Sequence, residues 1–487
     1  MSTTEVPQPV ALPRDPPVSP RRAWAAVGII LVGEVMDLLD SLVTTIAGPT
    51  IRRDMGGSQE FIQWLAAGYT IAMAAGLLVG GRLGDKYGRK NLFLFGLAGF
   101  TVTSLVSALA TTPETLITAR VLQGLLGALM VPQALGIIRS IFPPDKVGLA
   151  FGVTGPVMAL SGVAGPIVAG WLVDADYFGW SWRMIFAVNV PVGVVALVAG
   201  LALLPRSHRQ RDLKIDTAGA LIAAAGMAAV IFSLVQGREL GWRWWVFVLL
   251  AAGVTALAGF VRHQFRRAAK DLPTLVVPSL FRKKAFVSGL FIGILFFSVM
   301  MGGALLFSLF FQLGLGMSPL KAGLATIAQA AGMLLGFGFS QALGMARRTM
   351  FIGFATATAG LLAALGTIAV QDDPVNAWWL SPALAVVGVG SGLAIAPFFD
   401  IVLSGVDEEE TGSASGTLTS AQQVGNALGA SLLGTIFFSV LNGRRAEDAS
   451  AFTAATLTAL VVAVALVAGA AVCTRWLPER AVRHVEA

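Results

Sequence analysis

Charge is scarce in this 487-residue chain. Asp, Glu, Lys and Arg make up 13% of it while 56% is hydrophobic, and an average soluble domain is about a quarter charged. A water-soluble surface for a chain of this length cannot be assembled from so few charges. Cysteine is nearly absent as well. The single Cys473 excludes an internal disulfide framework and any cysteine-rich metal site, and it reads as a small apolar residue of the last helix. Only three histidines occur, His208, His263 and His484, all in charged connecting segments or the tail, so no histidine metal centre is expected inside an apolar run. No Gly-Lys-Ser or Gly-Lys-Thr phosphate loop and no nucleophile–base pair stands out. An ATP-driven pump and an enzyme are both disfavoured, and no cofactor is expected.

What the chain has instead is apolar runs of roughly 18 to 27 residues, the length needed to cross a bilayer as helix. A strand barrel would show alternating segments of about ten residues. The fold class expected is therefore an all-α membrane protein. Spans are placed at 23–49, 61–80, 92–110, 114–138, 148–172 and 184–204, then 216–236 and 243–261, then 285–311, 319–343, 350–370, 378–403, 412–441 and 452–476. That is fourteen helices in groups of six, two and six.

Charge tests the topology. With the N-terminus inside, about 25 Lys and Arg fall on the cytoplasmic side and about 8 outside, with Arg120 within a helix. Both termini are then cytoplasmic. The densest basic stretches, 206–214 and 262–284, flank the inserted pair. The expected organisation is a proline-rich disordered tail at 1–22, without the apolar core of a signal peptide. A six-helix bundle at 23–205 and an inserted pair with basic linkers at 206–284 follow. A second bundle at 285–476 and a tail at 477–487 complete it. The net charge of +7 points to membrane lipid headgroups, not nucleic acid. Asp407–Glu410 runs against the trend, and acids ahead of a helix favour its positive end. High Ala, Gly and Val content suggests a bacterial source and hence the inner membrane.

The stretch Gly81-Arg82-Leu83-Gly84-Asp85-Lys86-Tyr87-Gly88-Arg89-Lys90 lies between the second and third spans. It resembles the cytoplasmic loop signature of the major facilitator superfamily. Gly84 and Gly88 suit a tight turn, Asp85 can face a helix N-terminus across the domain interface, and Arg89 and Lys90 are expected at the headgroups. Arg120-Val121-Leu122-Gln123-Gly124 with Pro132 looks like the family's fourth-helix signature. Gly152, Gly165-Pro166 and Gly170 resemble its antiporter helix, with Ser161 and Ala169 where glycine is usual. Trp180–Phe186 with Asn189-Val190-Pro191-Val192-Gly193 is similar to the link before the sixth helix of fourteen-helix drug:proton antiporters, as are Asp40, Pro49, Ile51, Trp64 and Tyr69. The resemblance covers about residues 23–476. It implies a major facilitator fold, two six-helix bundles plus two extra helices, with the Gly152–Gly170 helix as a hinge. Around Gly338–Arg348 the loop signature is echoed without its aspartate.

Ionisable groups at membrane depth cost roughly 2.5–3.5 kcal/mol each. The first span carries three, Glu34, Asp37 and Asp40, spaced to lie along one flank of a helix. They are tolerable only beside an aqueous chamber, when protonated, or when paired with cations. Such a cluster suits exchange of a proton for a substrate. Arg120, the only basic residue deep in a span, is the expected partner through Asp40 or nearby backbone oxygens, and the resemblance assigns its counterpart to proton coupling. Cavity candidates are Gln123, Trp64, Tyr69, Gln312 and Asn426, with Gln329, Gln341, Gln422 and Gln423 as further amides. Trp64 and Tyr69 are placed by the central cavity through the resemblance alone.

The function these features imply is a proton-driven antiporter exporting amphipathic drugs or antibiotics, acting as a monomer. The acids favour cations, while uncharged and zwitterionic compounds stay open. Export of lipids or of a dedicated secondary metabolite is the alternative, and a non-transporting sensor would need a sizeable soluble domain.

Overall fold

A computed structural model describes residues 19–56, 59–143, 146, 149, 150, 153, 154, 157, 161, 164, 165, 168–173, 175–205, 215–238, 240–317, 319–371, 375–407, 410–442 and 449–479. Among them every regular element is helical. The long helices are α1 (Pro20–Met55), α2 (Gln59–Tyr87), α3 (Arg89–Ala108) and α4 (Pro113–Ile141). They continue with α5 (Arg183–Leu203), α6 (Thr217–Gln236) and α7 (Trp244–Ala268). The last six are α8 (Lys284–Leu309), α9 (Pro319–Leu343), α10 (Arg347–Val370), α11 (Ser381–Leu403), α12 (Thr411–Asn442) and α13 (Ala449–Cys473). The described residues between 146 and 173 are helical too. Among the described residues eleven helices, α3 to α13, are long and apolar enough to cross a membrane. Their successive antiparallel passes make a multi-pass membrane protein.

Local chemistry sets several boundaries. Pro20 opens α1, where a missing N–H costs nothing, and Gly56 closes it with a left-handed φ of 68°. Arg52 and Arg53 in that last turn favour the negative end of the helix. The helix therefore runs past both limits of the 23–49 span. Thr112 caps α4 by accepting from the Thr115 amide at 3.3 Å, with Pro113 in the first turn. Asp216 caps α6 through the Gly219 amide at 3.0 Å. Between α2 and α3 the chain reverses through Gly88 at φ 91°, a conformation that a side chain would strain.

The helices α1 to α5 form one bundle and α8 to α13 another. Small residues let backbones touch where lipid offers no hydrophobic drive. Along α2 and α4, Gly80 meets the Ala128 carbonyl and Gly124 the Tyr69 carbonyl. Along α9 and α11, Gly332 meets the Ala385 carbonyl and Gly388 the Gln329 carbonyl. Helix α6 packs on both α2 and α12, and α7 packs behind it. Ala223, Met227, Ile231 and Phe260 of this pair share one buried apolar cluster with α8 to α13. Trp244 and Phe247 of α7 remain exposed, as expected of a lipid-facing helix. The end of the molecule that carries residues 81–90 is called the loop end below, and the opposite end, which carries Asp54 and Arg183, the far end.

Candidate functional site

Glu34, Asp37 and Asp40, the acids within the apolar run of α1, do not share one environment. Asp40 is 1% exposed and faces Arg120 of α4, also 1% exposed. The Arg120 Nη1 bonds the Asp40 carboxylate, and its Nη2 donates to the Asp40 carbonyl at 3.3 Å. The same Nη1 donates to Gln123 Oε1 at 2.8 Å, and Gln123 Nε2 donates to Ser104 Oγ of α3 at 2.8 Å. Asn189 of α5 donates to the second Asp40 oxygen at 3.3 Å. The guanidinium also lies 4.3 Å from the Tyr69 ring centroid and 5.7 Å from that of Phe186, within range of cation–π attraction. Its Nε makes no hydrogen bond to any described residue. A buried pair of this kind repays its desolvation only when its remaining valences are satisfied, and the surrounding helices supply most of them.

Asp37 lies one turn nearer the loop end and is half-buried. It accepts a hydrogen bond from the Tyr69 hydroxyl. A side chain on Gly127 would collide with this carboxylate, so α4 leaves room for it by having none. Glu34, a further turn along, is half-buried and has no hydrogen-bond or ion-pair partner among the described residues. The arrangement is graded, running from a closed ion pair at Asp40, through a hydroxyl-bonded acid at Asp37, to Glu34 with no partner among the described residues.

The other cavity candidates scatter. Tyr69 joins the site, 2% exposed, between Asp37 and Arg120. Trp64 does not; it is 44% exposed and its ring lies 5.9 Å from that of Phe232 on α6. Helix α6 therefore covers part of that flank of α2. Gln312 sits in a π-helical turn, Phe310–Gly314, and donates to Ser308 Oγ at 2.8 Å. Asn426 donates to Gln423 Oε1 at 3.1 Å, and Gln423 Nε2 lies 3.6 Å from Met73 Sδ of α2, which puts this amide pair at the seam between bundles. Asn189 and Ser104 were not expected in the site. Asn189 entered only as part of the motif that carries the resemblance, and Ser104 gave no signal.

The 81–90 stretch forms the second region of the site. Asp85, 7% exposed, receives Arg89 Nη2 at 3.2 Å and Arg82 Nη1 at 3.6 Å, and its carboxylate lies against Gly412 at the start of α12. Gly81 abuts the Gly412 carbonyl, and Gly84 leaves space for Gln133, whose Nε2 donates to the Gly80 carbonyl at 2.8 Å. Arg89 and Lys90 both bond backbone carbonyls. Arg89 donates to the Gly136 carbonyl at 3.0 Å, and Lys90 to the carbonyls of Leu201 and Leu204 at 3.0 and 2.6 Å. Leu201 and Leu204 stand at the end of α5, where carbonyls lack intrahelical donors and can accept from Lys90. Arg139 adds bonds to the Val406 carbonyl at 3.3 Å and Thr411 Oγ at 3.4 Å. The two bundles therefore touch at the loop end. In the expected hinge, Gly165 is helical and buried and Gly170 is helical with open space beside it, while Gly152 and Pro166 lie outside the described residues.

Similarity to known proteins agrees with this geometry. The chain is 44% identical over 441 residues to a probable actinorhodin transporter of Streptomyces coelicolor, covering 90% of this chain and 76% of that one. It is 33% identical to the tetracenomycin C resistance and export protein of Streptomyces glaucescens, over 90% and 80% of the two chains. Its fold matches a proton:xylose symporter at a TM-score of 0.61 and 14% identity, covering 91% of this chain and 95% of the symporter. The family model of the Major Facilitator Superfamily matches residues 30–430. With that match spanning both bundles, this chain belongs to the major facilitator superfamily and is a multi-pass membrane transporter, not an enzyme.

Proposed function

We propose that the protein exports an amphipathic antibiotic or related drug across a bacterial inner membrane in exchange for entering protons. The observation that carries this reading is the graded trio of acids on α1 beside a buried arginine. Asp40 is held by Arg120, while Asp37 and Glu34 are half-buried, with a single hydrogen bond between them to described residues. Acids so placed can alternate between a proton and a substrate without long-range communication. A potential of 100 mV supplies about 2.3 kcal/mol per proton moved, so no bound cofactor is required.

Transport proceeds by rocking the two bundles about a midplane site. In this reading the helix pair α6–α7 is inserted between bundles of six, fourteen spans in all, with both termini cytoplasmic. The loop end is then the cytoplasmic end, and the protein works as a monomer among membrane lipids. Negative charge in the trio favours a cationic substrate. A second reading, export of one dedicated secondary metabolite, is favoured by the relatives, two of which are named for single compounds.

Proton release from detergent-solubilised protein separates these readings. Lipophilic cations, neutral amphipaths and zwitterions are added in turn, and the pH change is recorded. Substrates should displace protons from the wild type and not from the triple variant Glu34→Gln/Asp37→Asn/Asp40→Asn. Unchanged release in the triple variant would overturn proton coupling through the trio. A response to one compound class alone would favour the dedicated exporter.

A further inference from the structure

The segment joining α7 to α8 belongs neither to the acid site nor to the 81–90 turn, yet it is bonded to α2, α7 and α12. Leu275 and Val276 are each 1% exposed. The Leu275 amide donates to Gln264 Oε1 at 2.7 Å, and the Leu275 carbonyl accepts from Arg82 Nε of α2 at 2.7 Å. Two residues on, the Val277 amide donates to Ser413 Oγ of α12 at 3.0 Å. Ser279 donates to Glu410, and Lys283 Nζ bonds Asp407 at 3.0 Å and also Glu410. Partial burial opposes the charge on Lys283, but these two carboxylates outweigh it and hold the ammonium above its usual range.

The root of the segment is equally fixed. Gln264 is fully buried and its Nε2 donates to Asp216 Oδ2 at 2.9 Å, so one amide ties the cap of α6 to the segment. Arg267 donates to the Pro273 carbonyl at 2.8 Å. The inserted pair therefore delivers a short length of chain to both bundles at once.

We propose that residues 275–283 form a strap that holds the loop end shut, making the inserted pair a conformational latch as well as filler between the bundles. Two residues of extended chain span at most about 7 Å, so the attachments at Leu275 and Val277 leave little slack. Rocking the bundles apart at this end must break the attachment to the first bundle or the attachment to the second. The grip is unequal. Arg82 holds the strap to the first bundle, whereas Ser413, Glu410 and Asp407 hold it to the second. Leu275, Val276 and Leu280 also join a buried apolar cluster that runs mainly through the second bundle and reaches Ala74 and Leu78 of the first. The strap accordingly travels with the second bundle, and the Arg82–Leu275 contact is the one that opens. This inference rests on the alternating-access reading above, though not on its proton or substrate assignments.

Spin labels at the exposed Tyr87 and Leu343, one on each bundle at the loop end, read the opening directly as a distance when Cys473 is replaced by Ala. Arg82→Ala should raise the ratio of long to short distances about fivefold, the worth of one net hydrogen bond. Gln264→Leu, which removes bonds lying within the inserted pair and strap, should move the ratio the same way. A disulfide between Val277→Cys and Ser413→Cys should leave both distances populated, because that attachment stays closed throughout. An unchanged ratio in both Arg82→Ala and Gln264→Leu, or a disulfide that abolishes the long distance, would overturn the strap while leaving rocking intact. A single distance in the wild type under every pH and gradient would overturn the rocking and the strap together.

Discussion

Arg120 holds Asp40 at two places, one terminal nitrogen on the carboxylate and the other 3.3 Å from the backbone carbonyl of the same residue. Two bonds to one residue fix the rotation of α1 against α4, and with it the direction in which Asp37 and Glu34 point. A lysine is a point charge without this fork. Arg120→Leu should lower stability by about 3–5 kcal/mol, the cost of leaving a buried charge unpaired. Arg120→Leu/Asp40→Leu should recover most of it and restore no transport. Thermal unfolding in detergent reads the first effect and uptake into proteoliposomes the second.

Tyr69 serves two neighbours, its hydroxyl on Asp37 and its ring beneath the guanidinium. Tyr69→Phe keeps the ring and deletes the hydroxyl. Folding should be unaffected, while substrate accumulation under an imposed proton gradient should drop by about tenfold, equivalent to about 1.4 kcal/mol. The same accumulation after Tyr69→Phe as in the wild type would mean that Asp37 needs no such partner.

Helices α2 and α4 meet at Gly124, where an added side chain would run into the Tyr69 carbonyl. Overpacking a close-packed contact costs about 1–3 kcal/mol. Gly124→Val should therefore lower the melting temperature, and because the strain displaces Tyr69 it should also reduce transport. Gly28, which has open space around it, provides the control; Gly28→Ala should leave both unchanged.

Asp216 gives a pH dependence away from the membrane interior. Burial pushes its carboxyl upward, but the Gly219 amide, Gln264, His263 and the charge of Arg267 together outweigh this and hold it below the usual range. A depressed carboxyl contributes stability above its unfolded value of about 3.9, and the contribution fades as pH falls through the lower folded value. The melting temperature of the wild type should thus decline from about pH 5 to pH 3 more steeply than that of Asp216→Asn. Parallel curves would show that the carboxylate contributes no acid-limb stability.

Much of this molecule is legible in its sequence, for reasons that differ between regions. Apolar run length carries the helices, because a bilayer demands about twenty residues per crossing. Arg120 and Asp40 can be paired from the sequence, because a charge deep in an apolar run must find a partner. Asp85 against the start of α12 follows from its place in a recognisable turn. The failures are equally physical. Trp64 packs on Phe232 of α6, a neighbour that sequence spacing does not reveal. Arg89 and Lys90 bond carbonyls of α4 and α5 that their local sequence does not name. Arg82, Gln264 and Ser413 lie far apart in the chain, and nothing in their local sequence marks them as sharing one segment.

Gly81 and Gly412 meet with no side chain between them, which makes this joint tolerant of drift in one direction only. Any substitution at either position adds carbon, and no substitution can remove any. A single methyl group would act as a doorstop, keeping the two bundles from closing against each other at this end.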